Sequence, residues 1–348
     1  MKTISIVTPC YNEQDNVEEL WRRIRDVMAT LDQYSYEHIF IDNASSDMTA
    51  ELLRRMAAQD TNVKVILNAR NFGHIRSPMH GILQACGDAV IGMAADFQDP
   101  PELIPALVER WEQGFAMVLC IKETSEENRI FFWLRRQYYR WINRLSSLET
   151  FENFTGFGLF DRKVIDIVRT MNDRYPYFRG LIAEIGLPHA EVKFVQPRRK
   201  RGFTKNNLYT LYDLAMLGLT NLSKVPLRIV TFFGFVNAIG CILVALSYFI
   251  YKLVFWSNFS VGTAPLVIGL FFLGSVQLVC MGILGEYIGA IHTQVHRRPY
   301  VIEKERINFD SLTSGQLDAE LPPPPPLTGN RAVVGGSAAR WKATDERN

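Results

Sequence analysis

Apolar positions in the first 125 residues follow two alternating spacings. Short β-rich runs predict strands, and between them apolar residues recur every three or four positions, which predicts amphipathic helices. The predicted strands are Ile4–Thr8, His38–Asp42, Val63–Leu67, Ala89–Met93 and Met117–Ile121. The first predicted helix places on one face Val17, Leu20, Trp21, Ile24, Val27, Met28 and Leu31. Strands and helices that alternate with short connections predict a mostly parallel α/β sheet with helices on both faces.

Two long apolar runs follow later in the chain. Ile229–Phe255 carries a single charge, Lys252, and Ala264–Ile291 carries a single charge, Glu286. At about 1.5 Å per residue the first run is ~40 Å long, enough to cross a bilayer with some tilt. A buried core helix is the alternative, but two such runs in one chain favour a transmembrane hairpin.

Basic residues flank this predicted hairpin, whereas its connecting segment, 256–263, contains no Lys or Arg. The flanking residues are Arg198, Arg199, Lys200, Arg201, Lys205, Lys224 and Arg228 on one side and Arg297, Arg298, Lys304 and Arg306 on the other. By the positive-inside rule, both termini and the α/β domain should face the cytoplasm.

These patterns predict five parts. They are an α/β domain over 1–205, a juxtamembrane amphipathic segment over 206–228, a hairpin over 229–291 with helices at about 229–255 and 264–290, a basic segment over 292–310, and a disordered Pro-rich tail over 311–348. Within the first part, Arg129–Arg144 is aromatic and basic, which suits a helix at a membrane surface. An ordinary surface helix with snorkelling arginines is the alternative.

Composition excludes few function classes. An apolar content of 48% and a net charge of +2 argue against a disordered chain and against a nucleic-acid-binding protein. Five scattered cysteines without a CxxC pair indicate a reducing compartment and no structural zinc site. The first residues lack the apolar core of a secretory signal peptide, so we expect a first strand there.

Polar residues cluster in the loops that follow the predicted strands. In open parallel sheets, ligands bind beyond the carboxyl ends of the strands. That rule places four loops around one crevice, namely Pro9–Glu13, Asp42–Asp47, Asn68–His74 and Ala94–Asp99.

Six stretches resemble, in the same order, motifs of the family 2 glycosyltransferases of GT-A fold. They are VTPCYNE (7–13), FIDNASSDMT (40–49), NARNFGH (68–74), AADFQDPPE (94–102), QPRRKRGFTKNN (196–207) and GEYIGAIHTQVHRRPYVIEKE (285–305). Together with the hairpin they resemble, over about residues 1–310, the undecaprenyl-phosphate glucosyltransferase and dolichol-phosphate mannose synthase group.

This resemblance implies a GT-A, Rossmann-like domain, followed by interfacial helices and the two-helix transmembrane hairpin. It also implies inverting transfer of a hexose from a UDP-sugar to a polyprenyl phosphate, undecaprenyl phosphate in a bacterial plasma membrane. The sugar, the exact lipid and the oligomeric state, including a homo-oligomer, are left open.

The resemblance further implies a nucleotide-sugar site made by Pro9, Tyr11, Asn12, Glu13, Asp42, Arg70 and Asp96. The Tyr11 ring can stack on a base, the Glu13 carboxylate can accept from ribose hydroxyls, and Asp42 can accept from a uracil N3–H. Arg70 would contact the base or the phosphates. Asp96 and Gln98 would be the catalytic, metal-holding pair, since Mg²⁺ and Mn²⁺ take oxygen ligands and keep waters and substrate phosphates.

Two departures from the family pattern concern acidic residues. Ala94 replaces the first acidic residue of the DxD motif, and Asn43 replaces the second acidic residue of DDGS. The stretch TGFGLFDRK (155–163) is one residue shorter than its counterpart, so no site residue is assigned there. The chain is therefore either a catalytically inactive nucleotide-sugar-binding membrane protein or an enzyme whose metal is held by Asp96, diphosphate and water. Intact Asp96, Gln98 and Asp99 favour the enzyme.

A phosphate acceptor changes what catalysis requires. With a second pKa of about 6, a lipid phosphate is already anionic and needs no strong general base. The protein must instead hold two anions together with cations. Candidate acceptor-phosphate residues are Lys122, Arg135, Arg136, Arg199 and Lys205. Alternatively, the last four form a basic stripe attracted to anionic lipid.

One motif indicates a different class of enzyme. QYYRW, Gln137–Trp141, matches the QxxRW of processive polysaccharide synthases. It precedes TGFGLFDRK instead of following it, and two predicted membrane helices are too few for an export channel. We therefore interpret this match as chance.

Overall fold

The computed structural model describes residues 1–123, 151, 153–173, 175–197, 216–218, 220, 223, 225–254, 263–296 and 299–309. The strands are β1 Lys2–Cys10, β2 Tyr34–Asp42, β3 Val63–Asn68, β4 Ala89–Gly92, β5 Met117–Lys122, β6 Phe154–Asp161, β7 His189–Phe194 and β8 Glu303–Ile307. The helices are α1 Val17–Met28, α2 Thr49–Gln59, α3 Gly73–Gln84, α4 Ile104–Glu112, α5 Arg162–Met171, α6 Phe178–Ile185, α7 Val225–Val254 and α8 Thr263–Val295. The predicted surface helix Arg129–Arg144, with its QYYRW motif, and the tail 311–348 lie outside these ranges.

The strands form one sheet in the order β7-β5-β6-β4-β1-β2-β3-β8. Its centre, β4-β1-β2-β3, is parallel. Antiparallel partners join on both sides, β6 next to β4 and β8 next to β3, while β7 is parallel to β5. All five predicted strands are present, and the prediction of a mostly parallel sheet is confirmed. Because the central strands are parallel, their carboxyl ends lie along one edge of the sheet.

Helices cover both faces of the sheet. On one face, α1, α2 and α4 pack against a buried cluster that includes Ile4, Ile6 and Phe40. On the other face α3 approaches β1 and β2 so closely that a Cβ on Gly81 would lie 2.9 Å from a methyl of Val7. Only glycine fits this approach without displacing the helix. The later half of α3 therefore packs directly against the sheet.

The apolar helices α7 and α8 contact each other. Val225–Val244 and Phe272–Val295 are long and apolar enough to cross a membrane. Large apolar side chains are exposed along both helices, for example Phe232 and Leu278. This exposure differs from that of the core helices of the sheet domain, whose apolar faces are buried.

The strand β8 follows these helices and returns to the sheet, where it pairs antiparallel with β3. The sequence predicts only a basic segment there. Ion pairs hold the strand in place. Arg54 Nη2 lies 2.7 Å from Glu305 Oε2, and both His80 Nε2 and Arg306 Nη2 lie 2.6 Å from Glu303 Oε1. The end of the hairpin is thus tied to α2 and α3.

Glu303 is the carboxylate on which we expect this attachment to depend. Burial alone would raise the pKa of Glu303, but hydrogen bonds from His80 and Arg306 lower it to about 2. Since an exposed glutamate has a pKa of about 4.3, the stabilisation is complete above pH ~5 and is lost as pH falls from about 4 to 2.

Replacing Glu303 with Gln should therefore lower the free energy of unfolding by about 1–3 kcal/mol at pH 7, because His80 and Arg306 lose the carboxylate to which both are bonded. Thermal unfolding of the detergent-solubilised protein measures the loss, and the difference from the parent should shrink at pH 3. Glu184→Gln, at an exposed position of α6, is the control. Equal melting temperatures for the parent and Glu303→Gln at pH 7 would contradict this role.

Candidate active site

The loops after β1 and β2 are held together by hydrogen bonds between backbone and side chains. The Asn12 N–H donates to Ser45 Oγ at 2.8 Å, and the Ser46 N–H donates back to Asn12 Oδ1 at 2.8 Å. The Glu13 N–H donates to Thr49 Oγ1 at 2.9 Å. Asn12 has a φ of 56°, a left-handed conformation that asparagine tolerates better than most residues. The predicted binder Asn12 therefore shapes the loop with its amide oxygen.

Asp42 lies where the sequence predicts it, at the carboxyl end of β2. It is buried, and it accepts from the Ser45 N–H at 3.0 Å and from the Ser45 hydroxyl. Burial raises the pKa of Asp42, and the bonds from Ser45 oppose that rise. A carboxylate has about four acceptor positions, so these two bonds fix its orientation without using its whole capacity.

The other predicted residues of this loop, Pro9, Tyr11 and Glu13, are half-buried beside Asp42. Glu13 accepts from Asn16 Nδ2 at 2.6 Å. The pKa of the Cys10 thiol is raised by burial and by the nearby carboxylates of Asp42, Glu13 and Asp47. This part of the edge is therefore acidic, which suits donors such as ribose hydroxyls and an imide N–H.

Asn43 joins the loop after β2 to the loop after β3. Its Nδ2 donates to Asn71 Oδ1 at 2.9 Å and to the Gly73 carbonyl at 3.2 Å. Its Oδ1 accepts from the Phe72 N–H at 2.9 Å and from Asn68 Nδ2 at 3.2 Å. An amide supplies both donors and acceptors, whereas a carboxylate would present only acceptors to the two oxygens it faces. The amide of Asn43 therefore matches all four of these loop contacts.

Arg70 lies on the rim of the same loop. It is exposed, donates to the Asn71 carbonyl at 3.0 Å, and stacks its guanidinium 4.1 Å from the centre of the Phe72 ring. The Phe72 N–H is in turn bound by Asn43. The position of Arg70 thus depends on the Asn43 contacts.

The loop after β4 folds back on itself around two carboxylates. Asp96 is buried and accepts from the Gln98 N–H at 3.1 Å, and Asp99 is buried and accepts from the Ala94 N–H at 2.9 Å. Phe97 between them has a φ of 61° with its ring in the core. A bulky residue in this conformation is strained, and burial of its ring keeps it there.

Burial raises the pKa of Asp99 to about 7; Asp96 adds to the rise, while the Ala94 N–H and Arg179 oppose it. The bond from Asp99 also gives Ala94 a defined place at the inner side of the loop. The residue that departs from the family pattern is therefore part of an ordered turn.

A cleft of about 280 Å³ lies beneath this loop, between α3, β6 and α6. Ala94 and Asp99 line one end of it, and Pro9 also contributes. A larger cavity of about 380 Å³ surrounds Lys2 and Trp111, which belongs to the amino-terminal edge of the sheet. Only the smaller cleft adjoins the predicted crevice.

Of the predicted acceptor-phosphate residues, the structure describes Lys122. Lys122 ends β5 and is half-buried. Arg135, Arg136, Arg199 and Lys205 lie outside the described residues. Arg179 on α6, which the sequence did not single out, lines the cleft and donates to the Thr155 carbonyl at 3.2 Å. The available signal was one cation in the otherwise apolar stretch FRGLIA.

The described residues contain no group of three His, Cys, Asp or Glu side chains that could hold a metal ion. The loop offers the Asp96 carboxylate and the Gln98 amide, both oxygen donors of the kind that Mg²⁺ and Mn²⁺ accept. This pair fits a hard cation that takes its remaining ligands from a substrate and from water.

Comparisons with known sequences identify one family. The model for glycosyl transferase family 2 matches residues 5–169. The chain is 33% identical to an uncharacterized glycosyltransferase of Synechocystis sp., over 90% of this chain and 99% of the relative. It is 34% identical to the SfII prophage-derived bactoprenol glucosyl transferase of Shigella flexneri, over 86% of this chain and 97% of the relative. A mannosyltransferase structure from Pyrobaculum calidifontis, in complex with GDP-Man and Mn²⁺, is 16% identical with a TM-score of 0.42, covering 85% of this chain and 87% of that chain.

Changing Asn43 to Asp, the residue of the family pattern, should destabilise the protein by about 1–3 kcal/mol, because the Asn71 and Gly73 oxygens lose their donor and face a carboxylate. Thermal unfolding gives the stability. Asn172→Asp, the same change at the exposed end of α5, is the control. An Asn43→Asp protein as stable as the parent would show that these contacts do not require an amide.

Proposed function

This chain belongs to glycosyl transferase family 2, and from that premise we propose that it is a membrane-anchored inverting glycosyltransferase. It would move a hexose from a UDP-sugar to polyprenyl phosphate, specifically undecaprenyl phosphate, at the cytoplasmic face of a bacterial plasma membrane. The observation that carries this proposal is the placement of Asp42 and Asp96 after β2 and β4, the strands on either side of β1. Relatives named bactoprenol glucosyl transferase, alike over nearly their whole length, support the lipid acceptor.

The donor would lie across the carboxyl edge of the sheet. The oriented carboxylate of Asp42 accepts the uracil N3–H, the Tyr11 ring stacks on the base, and Glu13 accepts from the ribose. Asp96 and Gln98 would hold Mg²⁺ or Mn²⁺, which would neutralise charge on the departing diphosphate. Arg70, stacked on Phe72 at the rim, adds a positive charge near the nucleotide.

The acceptor needs positioning more than activation. An oxygen of the lipid phosphate attacks the anomeric carbon, a new carbon–oxygen bond forms, and the bond to the UDP oxygen breaks. Attack from the face opposite the leaving group inverts the anomeric centre. Since the phosphate oxygen is already anionic, the chain supplies cations and orientation instead of a general base.

A catalytically inactive nucleotide-sugar-binding protein is the second candidate, and Ala94 favours it because the loop lacks a carboxylate there. Asn43, the other departure, no longer supports it, since its amide is used in loop contacts. A transfer assay separates the two candidates. The purified full-length protein is incubated with polyprenyl phosphate and a panel of labelled UDP- and GDP-sugars, and the lipid is extracted and counted.

In this assay Asp96→Ala should reduce lipid-linked sugar by at least about a hundredfold, and EDTA should do the same to the parent. Asp26→Ala, at an exposed position of α1, should retain full activity. Full activity of Asp96→Ala, or of the parent in EDTA, would remove the metal from the proposal.

The variant Ala94→Asp distinguishes an active site from an inactive one in the same assay. The sequence alone predicts an extended segment here, but β4 ends at Gly92 and residues 95–99 form a turn. The new carboxylate would stand in the same turn as Asp96, close enough in sequence to compete for the ion. For an active parent we expect a modest shift in the metal concentration required and the same product. The parent could instead be inactive with every sugar nucleotide, while Ala94→Asp or Ala94→Asp/Asn43→Asp is active. That result would show that the natural protein is the catalytically inactive candidate.

Both termini should lie in the cytoplasm, because basic residues flank the hairpin and are absent from its connection. Green fluorescent protein fused after Asn348 should fluoresce, and alkaline phosphatase at the same place should be inactive. The reverse pattern is expected for fusions within 256–263. Active alkaline phosphatase after Asn348 would contradict the topology.

A further inference from the structure

The cleft beneath the Ala94–Asp99 loop has a lining of two kinds. Ile75, Pro78, Met79 and Ile82 of α3 form an apolar wall, which Phe178 of α6 extends. The polar side chains of the lining are His74, Asp99, Thr155 and Arg179, of which Arg179 is bonded to the Thr155 carbonyl. A ligand that fits this cleft therefore combines a charged group with a hydrocarbon chain.

A sugar nucleotide does not match this lining. Its hydroxyls would be desolvated against Ile, Pro and Met side chains without hydrogen-bond partners, which is unfavourable. The acidic edge around Asp42 and Glu13 already offers acceptors for a nucleoside. The apolar wall thus requires a different ligand.

Arg179 determines the sign of the charged group. It is the single Lys or Arg among the described residues that line the cleft. Its bond to the Thr155 carbonyl, at 3.2 Å, orients the guanidinium, and its charge opposes the rise in the pKa of Asp99. A planar guanidinium matches the oxygens of a phosphate. Ala94 adds only a methyl group, so that no further carboxylate repels an anion there.

The cleft is also lined by segments that lie next to the apolar helices in sequence or are bonded to them. Leu217 lines it and lies in the short helical segment ahead of α7. Pro176 and Tyr177, which line it too, follow Asp173, whose carboxylate receives Gln294 of α8 at 2.5 Å. One wall of the cleft therefore includes a residue that shortly precedes α7 in the sequence, and another follows directly on the residue to which α8 is bonded.

We infer that this cleft is the acceptor subsite: Arg179 binds the phosphate of a polyprenyl phosphate, and the wall from Ile75 to Ile82 packs against its first isoprene units. This assignment rests on the proposed function for its reaction. The phosphate at Arg179 would lie beside the loop that carries Asp96, where the donor's diphosphate is expected. Arg179 is then a residue that touches substrate, in addition to the cations predicted from the sequence.

Binding of farnesyl phosphate to the full-length protein tests the inference without any sugar transfer. Titration calorimetry in detergent should give saturable binding to the parent, with weaker binding of farnesol, which lacks the phosphate. Arg179→Gln should raise the Kd for farnesyl phosphate about tenfold or more, and Arg179→Lys should recover part of the loss. Arg169→Gln is the matched control, since Arg169 is half-buried on α5 and also donates to backbone carbonyls, those of Leu83 and Ala85.

A second variant tests the wall. Ile75→Gln should raise the Kd for farnesyl phosphate several-fold, whereas the nucleotide UDP should bind as it does to the parent. If sugar transfer is observed, Arg179→Gln should raise KM for the lipid and leave KM for the donor unchanged. Unaltered farnesyl phosphate binding in Arg179→Gln, with a melting temperature like that of the parent, would overturn the inference. If no sugar transfer is observed while farnesyl phosphate binds in this pattern, the lipid-phosphate subsite is supported and the proposed transfer reaction is contradicted.

Discussion

The constraint on which the site depends is the hydrogen bonding of backbone N–H groups beyond the ends of the parallel strands. Between the central strands the N–H groups pair along the ladders. In the loops after β1, β2, β3 and β4, several N–H groups are bound by side chains instead, and a buried N–H without a partner is costly. Side chains of neighbouring loops supply two of these acceptors, Asn12 for Ser46 and Asn43 for Phe72. The loops after β1, β2 and β3 are consequently joined to one another, whereas the loop after β4 closes on itself through Asp99, which accepts from the Ala94 N–H. The carboxylates of Asp42 and Asp96 are oriented by N–H groups of their own loops.

That constraint changes the meaning of the two departures from the family pattern. Asn43 has two acceptor and two donor contacts, so the amide is matched to its surroundings on every side. These contacts give the amide a part in the loop that a carboxylate, which only accepts, would not fill. Ala94 remains a true difference in charge, yet its backbone is held by Asp99 as part of an ordered turn. The same methyl group that removes a metal ligand leaves the adjoining cleft more favourable to an anion.

The central strands and the carboxylates after them were predictable, because an apolar run followed by a polar loop is a local pattern. β6, β7, α5 and α6 were not, since β6 contains Gly156 and Gly158 and gains its place only by pairing between distant strands. β8 has the charged sequence EKERI and is defined by its partners Arg54 and His80. For the same reason the sequence indicates Asp42 but not Ser45, and Asp96 but not Arg179. The type of a residue and its place after a strand can be recognised from the local sequence, whereas the side chains that contact it depend on the three-dimensional fold.

The return of the chain to the sheet has a consequence for a lipid acceptor. Described residues on both sides of the hairpin contact the sheet domain: Leu217, ahead of α7, lines the cleft, and β8, after α8, pairs with β3. Gln294 bonds to Asp173, and the Tyr300 hydroxyl bonds to the carbonyl of the same residue, which fixes the end of α8 to the loop before α6. If α7 and α8 lie in a bilayer, as proposed, a lipid phosphate stays at the membrane surface and the protein must bring the sugar nucleotide to it. Attachment at two points holds the carboxyl edge at a constant height relative to that surface, which a single flexible anchor would not do.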